Sequence, residues 1–294
     1  MTFIRWQDLA FSAGSETSLW ELFHENSKLG RHAPGLTEKE VREYVASLPE
    51  SLQFDGYPTV ALPKRLPTLR LSVREAIQGR ISRREFIKVS MPLNYLAALL
   101  LLGYGIVDFT PAHAGESPIR RRRVVPSAGA LYPLEIFFHA TRVRGLATGL
   151  YHFNPSHRVV ELVRSGDQTK TFKKSFVQMP AVTKASLVIF ITAMFERSTF
   201  KYGDRGYRFI LLEAGHVAQN INLVAGSLGF GSVNLGGFFE REVDDFLAID
   251  GITHSTIYTL AIGTVKSQRD SNINLGLRRV SHVANTRTTY GPNK

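Results

Sequence analysis

The chain has 294 residues, of which 44% are hydrophobic and 21% are charged. This composition is typical of a globular protein with a sizeable core and excludes a disordered tail. Cysteine is absent, which excludes disulfides, thiolate metal sites, iron–sulfur clusters and cysteine nucleophiles, so any redox chemistry must come from a bound cofactor. The formal net charge of +11 favours an anionic ligand, substrate or partner.

Residues 1–70 are predicted to form a helical accessory segment with a proline-rich exit, and residues 71–294 to form the main domain. The segment shows no apolar stretch followed by a small-residue cleavage site, so we expect a cytoplasmic protein. Ser18 to Lys28 is predicted to be helical. Thr37 and Glu40 have capping-box spacing at the start of a second helix, which runs to Leu48.

The first part of the main domain is predicted to be helical. Ser72 and Glu75 repeat the capping-box spacing and predict a helix to about Gln78. A basic turn then leads to an apolar helix over residues 92–102, which is well short of the ~20 residues that span a bilayer. We therefore expect a buried helix there, with no membrane contact.

The pattern then changes to short runs of β-forming residues. Strands are predicted over residues 134–140, 149–155 and 157–163, with the last two joined as a hairpin around Pro155. A buried strand over 186–194 is followed by a polar loop over 195–206 and by the longest helical pattern, which Gly229 ends. Its apolar stripe occupies positions 211, 214, 218, 221, 225 and 228.

A last strand is predicted over residues 255–263, so helices and strands alternate without regular βαβ units. This order favours an α+β domain. The chain also has no G-x-G-x-x-G after a strand, which disfavours a dinucleotide-binding fold.

A short basic turn carries Arg80, Ser82 and Arg84. Guanidinium and hydroxyl groups at this spacing suit a phosphate and the polar edge of a ring, although a solvated basic turn has the same composition. Gly236 and Gly237 expose backbone amides that suit an anion or a ring edge, and a plain turn remains the alternative.

Small residues from Ser127 to Ala130, including Ala128 and Gly129, would let backbone approach a flat ligand. The preceding run Arg120–Arg123 would suit nucleic acid, but interleaved stacking aromatics and a reading helix are missing, so no nucleic-acid partner is expected. The nine histidines have no metal-pair spacing, so we expect no metal site. Neither a G-x-S-x-G elbow nor a Walker A loop is present.

Four motifs, in their order along the chain, resemble the SagB-type (ThcOx-like) dehydrogenase branch of the FMN-dependent nitroreductase superfamily. They are R-x-S-x-R-x-F, PSAGALYPLE, FKYGDRGYRFILLEAGHVAQN and GGF. This branch includes the azoline oxidases that mature thiazole/oxazole-modified peptides. The resemblance covers roughly residues 70–265. It implies a nitroreductase-like α+β fold with a mainly antiparallel central sheet flanked by helices, and an intertwined homodimer with FMN at the interface.

The resemblance also assigns roles to residues. It places flavin contacts at Arg80, Ser82, Arg84, Ser127, Ala128, Gly129, Gly236 and Gly237. Lys201 and Tyr202 match the pair that azoline oxidases use in catalysis. Ile81 stands where a second arginine is frequent, and Arg278 and Arg279 are the candidates for the basic phosphate contact near the carboxyl terminus.

Azoline oxidation removes a proton from Cα and a hydride from Cβ, so it needs a base opposite the flavin. Lysine is a base only when neutral, a form that the neighbouring cations Arg205 or Arg208 would favour. The implied substrate is a heterocycle-containing precursor peptide, supplied by a cyclodehydratase of the same pathway. The alternatives are a general NAD(P)H-dependent nitro- or quinone-reductase, which needs no protein base, and a non-catalytic peptide-binding partner of a biosynthetic complex.

Overall fold

Apolar, β-branched and aromatic residues dominate the longest strands, which pair into one antiparallel sheet of seven strands. The computed structural model describes residues 18–31, 35–107 and 121–266. In order across the sheet, the strands are β1 (Thr59–Ala61), β6 (Val159–Ser165), β5 (Gly149–Asn154), β3 (Leu134–Ala140), β7 (Leu187–Met194), β9 (His254–Thr264) and β8 (Phe230–Leu235). A separate parallel pair joins β2 (Met91–Pro92) and β4 (Val143–Arg144).

Helices cover both faces of the sheet. They are α1 (Leu19–Asn26), α2 (Glu38–Ser47), α3 (Val73–Gln78), α4 (Leu93–Tyr104), α5 (Thr169–Phe172), α6 (Met179–Lys184), α7 (Glu196–Tyr202), α8 (Arg205–Ser227) and α9 (Glu240–Leu247). Alternate residues of β3 serve the two faces: Ile136 and Phe138 belong to the core with α4 and α8, and Phe137 belongs to the core with α5, α6 and α9. The expected α+β fold is confirmed.

Three predicted helix starts are confirmed by their geometry. Capping boxes at Thr37 and Ser72 begin α2 and α3, and at the start of α1 Ser18 N donates to Glu21 Oε2 at 3.3 Å. Gly229 follows α8 with a φ of 81°, in the left-handed region that ends helices. The predicted hairpin is β5–β6. Within the described residues, no helix has the length and apolar composition needed to cross a bilayer.

Two predictions are wrong in detail. The stretch 195–206, expected to be a polar loop, contains helix α7. Not all of its polar side chains face solvent, since Arg197 is buried. On α8, Leu211 is 42% exposed. The buried face follows the period of 3.6 residues from Ile210 through Val217 and Val224, so the predicted stripe is correct only from Ala214 onward.

The accessory segment is tied to the main domain. It contributes β1, whose Val60 pairs with Val160 of β6 at one edge of the sheet. This strand was not predicted.

Candidate active site

The turn before β3 has a strained backbone and lies against Lys201 and Tyr202. Gly129, Ala130 and Tyr132 have φ values of 61°, 53° and 48°. Non-glycine residues in this region cost on the order of 1–3 kcal/mol each and concentrate at functional sites. A Cβ on Gly129 would lie 2.6 Å from the Tyr202 hydroxyl and 3.1 Å from Lys201 Nζ. The close approach of this turn to Lys201 and Tyr202 therefore requires glycine at position 129.

Lys201 and Tyr202 form the last turn of α7, which ends at Gly203 with a φ of 53°. Both side chains are half-buried. Lys201 Nζ lies 5.3 Å from the centre of the Tyr202 ring, which packs edge-on against Phe209 at 5.0 Å. We call Ser127, Ala128, Gly129, Lys201 and Tyr202 the lysine–tyrosine group.

Arg205 and Arg208, the cations that the sequence analysis associated with Lys201, bind the residue that follows α1. Arg205 Nη1 donates to the backbone oxygen of Ser27 at 3.3 Å, and Arg208 Nε donates to the Ser27 hydroxyl at 2.8 Å. Both guanidinium groups thus hold the end of α1 against the start of α8. Nothing in the sequence around Arg205 and Arg208 indicated that their hydrogen-bond partner is Ser27.

A buried network supports the strained turn from below. The Ser127 hydroxyl accepts a hydrogen bond from Tyr132 N at 3.0 Å and is bonded to the carboxyl of Glu213, which is 3% exposed. Tyr104 donates its hydroxyl proton to Glu213 Oε1 at 2.7 Å. Arg123 lies over the Tyr104 ring at 4.2 Å. The hydroxyl of Ser127 is therefore directed inward, and its backbone carbonyl accepts from Ala130 N at 3.0 Å within the turn.

Burial raises the pKa of Glu213 to about 7, and its bonds to Ser127 and Tyr104 oppose that rise. In the folded protein the Glu213 carboxyl therefore keeps its proton up to about pH 7, whereas in the unfolded chain it releases the proton near its ordinary pKa of 4.5. Stability falls as pH rises from that value through the folded pKa and levels off above it.

We expect Glu213→Gln to remove this pH dependence. Relative to the variant, the wild type should lose about 3 kcal/mol of unfolding free energy between pH 5 and pH 8. Urea unfolding followed by circular dichroism at four pH values measures it, with the exposed Glu240→Gln as control. Parallel curves for wild type and Glu213→Gln would contradict the assignment.

The basic turn lies along β8. Ser82 pairs with Ser232 in a parallel bridge, and Arg83 N donates to Ser232 O at 2.8 Å. A Cβ on Gly231 would lie 2.8 Å from Arg83 Cβ, so the turn approaches the strand only because that residue is glycine. A cavity of about 390 Å³ beside the turn is lined by Gly79, Arg80, Ile81, Arg83, Asn222, Gly226, Gly229, Phe230, Gly231, Ser232, Val265 and Lys266.

Three cations, from Arg80, Arg83 and Lys266, border this cavity. Lys266 was missed by the sequence analysis, although a basic residue directly after the last strand was a usable signal. The earlier candidates Arg278 and Arg279 lie outside the described residues, as does Arg120. Lys266 therefore takes their place as the candidate phosphate contact.

The paired glycines adjoin the same turn. Arg84 Nε donates to Gln178 Oε1 at 3.2 Å, and the neighbouring Val177 N donates to Gly237 O at 2.9 Å. Gly236 is exposed, with open space where a Cβ would lie. We call Arg80, Ser82, Arg84, Gly236 and Gly237 the arginine-turn group.

The lysine–tyrosine group and the paired glycines lie at the end of the sheet where β7 and β8 finish and β3 and β9 begin, whereas Arg80 borders the cavity where β8 begins and β9 finishes. Within one chain, β9 and β7 separate β8 from β3. Three strand spacings correspond to a lateral separation of roughly 14 Å between the strands that carry the two groups. The arginine-turn group thus extends along β8, and the strands that carry the two groups remain apart.

A buried charge cluster anchors α7 to the sheet. Arg197 Nη1 donates to Glu135 Oε1 at 2.6 Å, and His152 lies 3.0 Å from Glu135 and 2.7 Å from Glu161. Burial alone raises the pKa of Glu135, but the Arg197 charge and the His152 hydrogen bond bring it well below its ordinary value. Burial lowers the pKa of His152, and its bonds to both carboxylates more than reverse that. The cluster was not predicted, since its members are scattered in sequence.

Among the described residues, no group of three or more histidines and carboxylates is arranged to hold a metal ion. The two groups together present guanidinium groups, exposed glycine residues, a lysine and a phenol.

Comparison with known proteins agrees with this geometry. The profile of the Nitroreductase family matches residues 77–264, more than half of the chain. MJ1384 of Methanocaldococcus jannaschii, a protein assigned to the nitroreductases, is 33% identical over 63% of this chain and 89% of its own length.

Two peptide-processing proteins are also similar. The microcin B17-processing protein McbC of Escherichia coli is 28% identical over 54% of this chain, and the trifolitoxin-processing protein TfxB of Rhizobium leguminosarum bv. trifolii is 26% identical over 58%. The matches span only 60% of McbC and 47% of TfxB.

Solved structures show the same fold. A crystal structure of an Anabaena variabilis protein assigned to the nitroreductases has a TM-score of 0.65 and 21% identity, over 87% of this chain and 49% of that one. A chain of the E. coli microcin synthetase McbBCD complex with truncated pro-MccB17 bound has a TM-score of 0.53 and 20% identity, over 90% and 96%.

Proposed function

The chain belongs to the nitroreductase family, and on that premise we propose that it is a SagB-type dehydrogenase that oxidises thiazoline or oxazoline rings to azoles in a ribosomally made peptide. The observation that carries the proposal is the contact of Lys201 and Tyr202 with Gly129. A base beside the turn that approaches a flat cofactor suits removal of a proton from a ring carbon.

FMN is the cofactor of this family, and the described residues fit it. Arg80, Arg83 and Lys266 surround a cavity with room for a phosphate, and their charges favour it. Arg84 and the amides of Gly236 and Gly237 would contact the ring edge. On the other side, the backbone of Ser127–Gly129 would face the ring.

The proposed reaction takes a proton from Cα and a hydride from Cβ of the azoline, which forms the C=C bond of the azole. Bound FMN supplies the acceptor for the hydride. Lys201 takes the Cα proton at Nζ. The Tyr202 hydroxyl donates a hydrogen bond to the substrate or relays the proton onward. Packing against Phe209 fixes the Tyr202 ring for this task.

A peptide substrate is supported by the similarity to proteins that process microcin B17 and trifolitoxin. We place a cyclodehydratase beside this chain as the partner that makes the azoline. The fold shared with a chain of the McbBCD complex supports such an assembly.

The direct test incubates purified, FMN-loaded protein with a synthetic thiazoline-containing peptide under air. We expect the peptide to lose two hydrogens per ring, detected by mass spectrometry and by the absorbance of the thiazole. An intact thiazoline after prolonged incubation with holoenzyme and its cyclodehydratase would overturn the proposal.

The second candidate is a general nitro- or quinone-reductase, which the similarity to MJ1384 favours. NAD(P)H-dependent reduction of nitro compounds would be its signature. Replacing Lys201 should leave that activity unchanged, because hydride transfer to a nitro group or quinone needs no lysine base.

We expect Arg84→Ala to weaken FMN binding by about 10- to 100-fold, because a charged hydrogen bond is worth roughly 1.5–3 kcal/mol. Fluorescence quenching of FMN during titration of the apoprotein measures this. Lys88→Ala, an exposed cation shortly after the turn, is the control and should not change the affinity. Equal affinities in both variants would remove Arg84 from the flavin site.

We propose a homodimer in which each flavin lies between the arginine-turn group of one subunit and the lysine–tyrosine group of the other. The lateral separation of the two groups in one chain supports this. So does the exposure of large apolar side chains on α8, where Leu212 is 60% exposed, and on α3, where Val73 and Ile77 are exposed.

The dimer predicts that Leu212→Glu dissociates the protein and lowers its FMN occupancy together. Light scattering and the flavin absorbance per chain measure the two effects. Ile252→Glu, at another exposed apolar residue, should change neither. A monomeric Leu212→Glu variant with full FMN occupancy would contradict the shared site.

A further inference from the structure

Helix α2 packs against the candidate catalytic helix although it lies outside the matched family region, which begins at residue 77. Val41 and Val45 of α2 are buried in one cluster with Leu131 of the strained turn, and Phe200 and Tyr202 of α7 pack against it. The N-terminal segment therefore touches both halves of the lysine–tyrosine group.

Tyr44 makes the most specific contacts of α2. Its ring stacks on Phe200 with centroids 4.3 Å apart and planes inclined by 30°, and its hydroxyl donates to the Glu196 carboxylate. These two residues are the first and fifth of α7, so Tyr44 fixes that helix at two points. Lys201 follows Phe200 directly.

The same N-terminal segment also reaches the opposite anchor of α7. Ser51 Oγ donates to Glu135 Oε2 at 2.9 Å, and Leu52 N donates to Glu135 Oε1 at 2.9 Å. Glu135 in turn holds Arg197, one turn before Lys201. Contacts from residues 41–52 thus act on α7 from two sides.

We propose that α2 is a working part of the active site and that Tyr44 is a positioning residue for Lys201 and Tyr202. The inference rests on the proposed function. Proton removal from Cα needs the base aligned with the C–H bond, and a displacement of about 1 Å costs up to ~10²-fold in rate. Tyr44 contacts neither reacting atom and acts through α7.

The kinetic test compares Tyr44→Ala, Tyr44→Phe and the control Glu43→Ala in FMN-loaded protein. Glu43 lies on the same helix with its side chain 66% exposed. Tyr44→Ala should lower kcat for the thiazoline peptide about tenfold, with KM and FMN affinity within about twofold. Tyr44→Phe keeps the stack and should restore most of the rate. An unchanged kcat in Tyr44→Ala would overturn the inference.

A combined variant separates positioning from general loosening of the fold. If Tyr44 acts through Lys201 and Tyr202, adding Tyr44→Ala to a protein that carries Lys201→Ala and Tyr202→Phe should cost no further rate. A full additional tenfold loss in the combined variant would show that Tyr44 does not act through this pair, and would overturn the proposal.

An activity-independent arm separates this inference from the proposed function. Lysines of the holoenzyme are dimethylated with ¹³C-formaldehyde, and the Lys201 signal is identified by its loss in Lys201→Arg. That signal should move in Tyr44→Ala and stay in place in Glu43→Ala. A Lys201 signal that is unmoved in Tyr44→Ala would refute the positioning role even if the wild type turned over no azoline.

Discussion

Lys201→Ala is expected to lose azoline oxidation by about 10²–10⁴-fold, the usual cost of removing a general base. The FMN content should stay at the wild-type level, because Lys201 Nζ lies beside Gly129 and Tyr202 and not in the cavity bordered by Arg80 and Lys266. The measurement is kcat for a thiazoline peptide, with the flavin absorbance recorded on the same samples.

The matched control is Lys170→Ala, which removes an exposed lysine from α5. This helix belongs to the core on the other face of the sheet. The control variant should oxidise the peptide at the wild-type rate. Tyr202→Phe keeps the ring packed on Phe209 and isolates the hydroxyl. Wild-type turnover by a folded, FMN-loaded Lys201→Ala protein would show that the lysine is not the base.

Local signals in the sequence predicted most elements correctly. Capping boxes depend on two side chains three residues apart, so Thr37 and Ser72 could be identified without knowledge of the fold. The strands β3 and β7 at the sheet centre are mainly apolar and were predicted within one residue of their bounds.

Contacts between distant residues could not be predicted in the same way. Arg205 and Arg208 follow Lys201 closely in sequence, but their hydrogen bonds go to Ser27, far away in the chain. The polar stretch that contains α7 resembles a loop until the buried partner Glu135 of Arg197 is known. Hydrogen-bond partners of this kind are fixed by the tertiary fold.

The features of the candidate site also divide into those that local sequence patterns predicted and those that depend on the tertiary fold. The residue types of the basic turn, the small-residue turn and the paired glycines were found from composition, and the resemblance supplied their roles. Their assembly into two groups follows from strand order, which no local pattern contains. Lys266 and Glu213 became candidates only through the cavity and the buried network.

Arg197→Met is expected to lower the unfolding free energy by about 3–5 kcal/mol at pH 7, since it leaves the buried Glu135 carboxylate without its main counter-charge. Methionine keeps most of the side-chain volume, so the loss reports the charge. Urea unfolding followed by circular dichroism measures it. Arg144→Met, at an exposed arginine of β4, should stay within about 0.5 kcal/mol of the wild type.

The directions of the pKa shifts of Glu135 and His152 predict how the stability deficit of Arg197→Met changes with pH. A lowered pKa of Glu135 in the folded state stabilises the protein above the ordinary pKa of 4.5, and that stability is lost as pH falls. The raised pKa of His152 acts oppositely, because its contribution is complete below 6.5 and is lost as pH rises. Without Arg197 the pKa of Glu135 moves up, so the deficit of Arg197→Met should be largest near pH 7 and shrink toward pH 4. A deficit that does not change with pH would mean that lost packing, and not the unpaired carboxylate, destabilises the variant.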